Sequence, residues 1–190
     1  MRKIQRGERM ERADLRGIDL SRTRLAKSGF DRADLDGANL EDADLSGATL
    51  RRATLREAYL VGVNLSGANL ETADLEGAKL ERANLAGANL SRANLEGAVL
   101  SNANLTGAQL SYAQLSSAKL GGAKLDNAVF THAELDDAYL GGATAIGTHF
   151  EFATLVAANL EEAKLSQASF EDAALRDAIL RKAELVGATL

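Results

Sequence analysis

The chain has 190 residues, 46% of them hydrophobic, with 17 Gly, no Pro, no Cys, no Trp and a formal net charge of -5. The absence of cysteine excludes a disulfide frame, a thiolate metal centre and thiol redox chemistry. Residues 1–30 carry nine Lys or Arg against four acids, and residues 31–190 carry thirteen against twenty-three, so the bulk is acidic. Direct nucleic-acid binding, which needs a concentrated basic surface, is not expected.

The N-terminal stretch MRKIQRGERMER is charged along its length and lacks the apolar stretch a secretory signal needs, and no apolar run approaches the length of a membrane span, so a soluble cytoplasmic protein without membrane association is expected. Residues 1–9 are expected to form a tail or cap, and residues 10–190 a single repetitive domain, because the composition hardly changes along them. Met10 stands in the register of the repeat that follows.

From Leu15 onward, 35 of the 36 positions divisible by five hold Leu or Phe, and Ala145 is the exception. Two residues earlier, Ala fills 31 of the same 36 slots, with Ile18, Thr23, Ser28, Val63 and Thr148 as departures. Five residues advance a helix by about 500°, which would scatter the leucines around its axis. A continuous strand fails too, because an odd period sends successive leucines to opposite faces. The chain must therefore turn once per repeat. Ala-x-Leu forms a short inward-facing side and the next two residues form a corner, whose second position is Gly in 13 repeats, where tolerance of positive φ is useful. Phe30, Phe130, Phe150 and Phe170 share one remainder on division by twenty, which supports a four-sided coil of 20 residues.

The motif Ala-(Asp/Asn)-Leu, seen at Ala33-Asp34-Leu35, Ala83-Asn84-Leu85, Ala93-Asn94-Leu95 and Ala103-Asn104-Leu105, resembles the pentapeptide-repeat proteins. The resemblance implies an all-β fold, a right-handed quadrilateral parallel β-helix of about nine coils and about 43 Å in length. Each inward Leu then contributes on the order of 1.5–3 kcal/mol through burial.

Outward positions carry whatever function the rod has. Sorted by the 20-residue coil, the face that begins at Leu15 holds eleven acids, among them Asp34, Asp36, Asp74, Glu76, Glu96, Asp136 and Asp137, against Arg16, Arg56 and Arg176. Such a face either binds a basic partner or keeps the rod soluble. Tyr59, Val99, Tyr139 and Ile179 alternate with Lys79, Lys119 and Asn159 on another side, as a ladder with snorkelling lysines. Asn64, Asn84 and Asn104 form a ladder that supports the rod. Arg92, Tyr112, His132 and Phe152, spaced by twenty, would stack on one corner and stabilise it or present a partner-binding patch.

At residues 141–150, GGATAIGTHF, two arrangements are open. In register, Ala145 leaves an interior gap that Phe150 partly fills and Ile146 points outward. With a bulge, Ile146 turns inward. The first is favoured because Ala143 keeps its slot, and the irregular surface around Ile146, near Tyr139, His149 and Phe152, is a candidate contact. The final motif, Ala188-Thr189-Leu190, has no cap in the sequence, and the family resemblance makes a homodimer through the C-terminal end an expectation.

No catalytic or metal-binding constellation is legible, since His132 and His149 lack ligand spacing and a Leu-filled rod offers no cleft. Neither enzyme activity nor a cofactor is expected. The sequence favours a noncatalytic scaffold or protein-protein interaction module with an unidentified protein partner. The alternative, implied by the resemblance, is a DNA mimic that binds and protects DNA gyrase.

Overall fold

A computed structural model describes residues 10–190; the expected N-terminal tail at 1–9 lies outside the described residues. The residue before each Leu or Phe slot bridges in parallel to the residue 20 positions on, from Asp14–Asp34 through to Ser169–Thr189. Four five-residue repeats therefore make one turn, and successive turns stack in unbroken register. Each side is so short that it contributes an isolated bridge and no extended strand.

One repeat accounts for its own backbone donors. Asp34 N–H donates to Ala13 O in the coil below, while Leu35 and Gly37 donate upward to Thr54 O and Arg56 O, at 2.8–2.9 Å. Ala38 N–H closes the corner on Leu35 O at 2.9 Å. That leaves the first corner residue, Asp36, whose N–H donates to the Asp34 carboxylate at 3.2 Å. The Asp or Asn of the motif thus satisfies the one donor that the coil cannot. The same bond recurs at Ser46 to Asp44, Ser66 to Asn64 and Ala86 to Asn84.

Among the described residues, every corner closes on a second residue of positive φ, as a type II turn requires. Thirteen of these residues are Gly and 23 are not, with φ between 54° and 72°. Glycine was expected to be useful here; the geometry demands its conformation at every corner and imposes it on Arg, Asp and even aromatic residues. The strain, about 1–2 kcal/mol per residue, is outweighed by stacking against the coils above and below.

The interior is closed. Leu and Ala of the middle coils are 0–1% exposed, and Phe130, Phe150 and Phe170 stack with ring centroids 5.1 and 5.0 Å apart. Ala145 keeps its register, between the bridges Lys124–Thr144 and Thr144–Lys164, and is buried. Ile146 points outward, 42% exposed. The ring of Phe150, the expected filler, is buried and stacks between those of Phe130 and Phe170. Thr148, in the next Ala slot, is buried and donates its hydroxyl to Leu125 O at 2.7 Å. At the last coil, Leu175, Leu180 and Leu185 are only partly buried, and Leu190 is 77% exposed.

Candidate interaction surface

Stacking of similar 20-residue coils turns sequence spacing into columns of side chains, so the charge of a face depends on which residues meet one coil apart. On the acidic face, Arg16 bonds Asp14 through Nε and Nη2 at 2.9 and 2.8 Å and lies 3.4 Å from Asp34. The Arg16 guanidinium holds the Asp14 carboxyl well below its usual range, at about 2. Arg56 likewise pairs with Asp74 at 3.4 Å and with Glu76. Asp36 accepts the backbone N–H of Arg56 at 2.9 Å. The lower acids Asp34, Asp36, Asp74 and Glu76 are thus tied into a network with arginine. Farther along, Glu96, Glu134, Asp136 and Asp137 have no basic partner among the described residues, although Asp136 accepts the N–H of Val156 at 2.8 Å. Glu57, on the lower half, likewise has no basic partner among the described residues, so the two halves of the face carry the same formal charge and differ only in how much of it arginine clamps.

The adjoining corner carries the aromatic column. Tyr112 and His132 stack with centroids 4.8 Å apart and 12° between planes; His132 and Phe152 stack at 4.8 Å and 15°. The Arg92 guanidinium lies 5.6 Å from the Tyr112 centroid at the lower end. Tyr112 and Phe152 remain 53% and 48% exposed. The nine second-corner residues of this column, from Arg12 to Asp172, include no glycine; the 13 corner glycines among the described residues belong to the other three columns. Strain that glycine would relieve is accepted here for large planar side chains.

Ile146 stands apart. It occupies a different corner, where its N–H donates to Asp126 at 2.9 Å, and the side bearing His149 separates it from Phe152. Tyr139 is farther still, half a coil from His149 and so on the opposite side of the rod. The irregular segment therefore does not gather Tyr139, His149 and Phe152 into one patch, because ten residues of separation are a half-turn in this fold.

The contacts of Glu151 gave no legible sequence signal, whereas those of Lys79 and the Asn ladder fall where the spacing placed them. His149 Nδ1 meets Glu151 at 2.9 Å, and Thr131 donates to the same carboxylate at 3.3 Å. Burial pushes the Glu151 carboxyl up, but the hydrogen bonds from His149 and its neighbours outweigh it and hold the group below its usual range. Lys79 Nζ lies 4.0 Å above the Tyr59 ring, so this lysine makes a cation-π contact beyond the snorkelling expected of it. The Asn ladder is hydrogen-bonded, Asn84 to Asn64 at 3.1 Å and Asn104 to Asn84 at 3.3 Å. Among the described residues, no group of three or more His, Cys, Asp or Glu is placed to hold a metal ion.

The family model for pentapeptide repeats matches in 8 copies, over residues 9–42, 38–77, 78–113, 108–144, 133–172 and 153–190. The chain is 35% identical to HetL, a pentapeptide repeat protein involved in heterocyst differentiation regulation from the cyanobacterium Nostoc sp. strain PCC 7120, over 96% of this chain and 93% of that one, with a TM-score of 0.46. A trypsin-treated variant of QnrB1, a plasmid-mediated fluoroquinolone resistance protein, is 19% identical over 92% of this chain and 90% of that one, with a TM-score of 0.65, a likeness of fold alone. A pentapeptide repeat protein of the Arabidopsis thaliana thylakoid lumen is 29% identical over 67% and 72% of the two chains, with a TM-score of 0.41. Comparison with curated proteins finds no match.

Proposed function

The chain belongs to the pentapeptide-repeat family, whose fold is the right-handed quadrilateral β-helix, and on that premise we propose that it is a noncatalytic scaffold that binds a partner protein along its outer surface. Proteins of this family are generally structural or interaction modules. The interior is filled by Leu, Ala and Phe, so the outer columns are what such a module has to offer. The observation that carries the reading is the exposed Tyr112–His132–Phe152 stack. Large aromatic side chains, held rigid and half in solvent, are the residues that dominate binding energy at protein interfaces. The upper acids Glu134, Asp136 and Asp137 add a negative field beside them.

A photocrosslinking amino acid placed at Tyr112, with a control at Asn102 half a coil away, tests this in cells. A discrete crosslinked protein from position 112 and none from 102 is the expected result. No product from 112, or the same products from both, removes the scaffold reading.

As part of the same proposal, two copies meet at their last coils and cover Leu175, Leu180, Leu185 and Leu190. Sedimentation that gives a monomer at every concentration removes this dimer. The DNA-mimic reading gains little from the charge arrangement, because Arg16 and Arg56 each clamp two carboxylates and divide the stripe. A supercoiling assay in which gyrase is unaffected discards it.

A further inference from the structure

We infer that the upper end of the aromatic ladder is a docking site for an arginine side chain on a basic segment of the partner protein, which rests on the reading of this corner as the binding surface. The molecule already contains one instance of the contact. At the lower end of the stack, the guanidinium of Arg92 lies over Tyr112, 5.6 Å from the ring centroid. At the upper end the stack stops at Phe152, and the next residue of the column is Asp172. Phe152 is 48% exposed, and no cation of the described residues lies over its ring.

The surrounding charges select the occupant. Glu171 and Asp172 are exposed, as is Glu134, two residues from His132 in the stack. None of the three has a basic partner among the described residues. Glu151, immediately before Phe152, is already held by His149 and Thr131, which leaves Glu171 and Asp172 as the acceptors at this end. An acidic segment is repelled from such a corner, and a neutral one leaves the carboxylates uncompensated.

Between the two cationic side chains, geometry favours arginine. A guanidinium is planar and weakly hydrated, so it stacks on the ring of Phe152 while its N–H fork points at the Asp172 carboxylate one coil away. Lysine supplies the charge without the stacking plane. Rigid columns at a spacing of about 4.8 Å preserve this arrangement without any ordering cost at the moment of binding.

The test uses the full chain and a fluorescently labelled synthetic peptide with arginine at alternate positions, together with its lysine and citrulline counterparts. Fluorescence anisotropy at fixed salt is expected to give the arginine peptide an affinity about threefold to tenfold above that of the lysine peptide, with citrulline weakest. Phe152→Leu, which keeps apolar bulk at an exposed corner but loses the ring, is expected to erase the preference for arginine over lysine. Asp172→Asn is expected to weaken the arginine peptide by about fivefold. Equal binding of the arginine and lysine peptides, or an arginine preference that survives Phe152→Leu, overturns the inference. The crosslinking result at position 112 is independent of this outcome: a crosslinked partner with no arginine preference sinks the inference and leaves the scaffold, whereas no crosslink sinks the scaffold.

Discussion

The hydroxyl of Thr148, buried three residues after Ala145, donates a 2.7 Å hydrogen bond to the carbonyl of Leu125 in the coil below. The pair is a compensated exchange: a Leu slot has lost its side chain, and the next Ala slot has gained a β-branched one whose polar atom is satisfied. The corner between them has loosened slightly, with Thr148 N–H donating to Ala145 O at 3.4 Å.

That exchange predicts strong coupling. Thr148→Ala alone opens space beside Ala145 and is expected to cost about 1–2 kcal/mol. Ala145→Leu alone forces a larger side chain against Thr148 and is expected to cost about 1–3 kcal/mol. Together the two changes restore the ordinary repeat and are expected to leave the protein at least as stable as it began. Urea denaturation of the full chain completes the double-mutant cycle. Additive costs would show that the two sites do not share the same space.

The Asn ladder makes a second prediction. Asn84 accepts the N–H of Ala86 at 3.3 Å and the side-chain amide of Asn104 at 3.3 Å, and donates to Asn64 at 3.1 Å. Asn84→Ala removes an acceptor that the coil does not otherwise supply, at a cost of about 1–2 kcal/mol. Gln109, exposed and outside the ladder, occupies the equivalent position of another repeat and serves as the control; Gln109→Ala is expected to change the denaturation midpoint little. Equal effects at 84 and 109 would deny the ladder its role.

These two sites also show where the sequence was legible. The five-residue period exposes the coil because neither a helix nor a strand can bury it, and the twenty-residue spacing of Tyr112, His132 and Phe152 places them in one column without further information. Register around Ala145 was legible for the same reason, since Ala143 and Phe150 kept their slots. The role of Thr148 was not, because it looks like a mere departure from Ala until its hydroxyl has a partner. The charge of the acidic face was legible only as a sum. Which carboxylates Arg56 clamps, Asp74 and Glu76 in the coil above rather than Asp36 in the coil below, depends on its rotamer, and composition carries no trace of that. Nor did the Arg, Asp, Tyr and Phe residues among the 23 non-glycine corners announce positive φ, since coil stacking imposes it against their preference.

Corner strain yields a third prediction. Gly67 has φ +62° and open space where a Cβ would stand, so substitution there reads backbone preference with no clash. Gly67→Asn is expected to cost less than about 1 kcal/mol, because Asn tolerates this region, as Asn102 and Asn127 do here. Gly67→Val is expected to cost clearly more, about 2 kcal/mol or above. Thermal denaturation of both variants checks the order; equal losses would mean that the corner relaxes out of the left-handed region.

Asp44 supplies the pH dependence. Its carboxylate accepts the Ser46 N–H and the Asn64 side-chain amide, each at 3.0 Å. The hydrogen bond from the Ser46 backbone is the main cause that lowers its pKa below the ordinary 3.8. Because the folded-state value is depressed, the stabilisation is fully present above 3.8 and is lost as the pH falls from there through the folded value. The Ser46 amide shift, followed by NMR from neutral to acidic pH, is expected to titrate with a midpoint below 3.8. Asp44→Asn keeps an acceptor for Ser46 but removes the titrating group, so the titration of that amide is expected to vanish while the corner stays closed. A Ser46 midpoint at or above the ordinary carboxylate value would show that the corner bond does not favour the charged form, and that the Asp or Asn of the motif is held in place by packing alone.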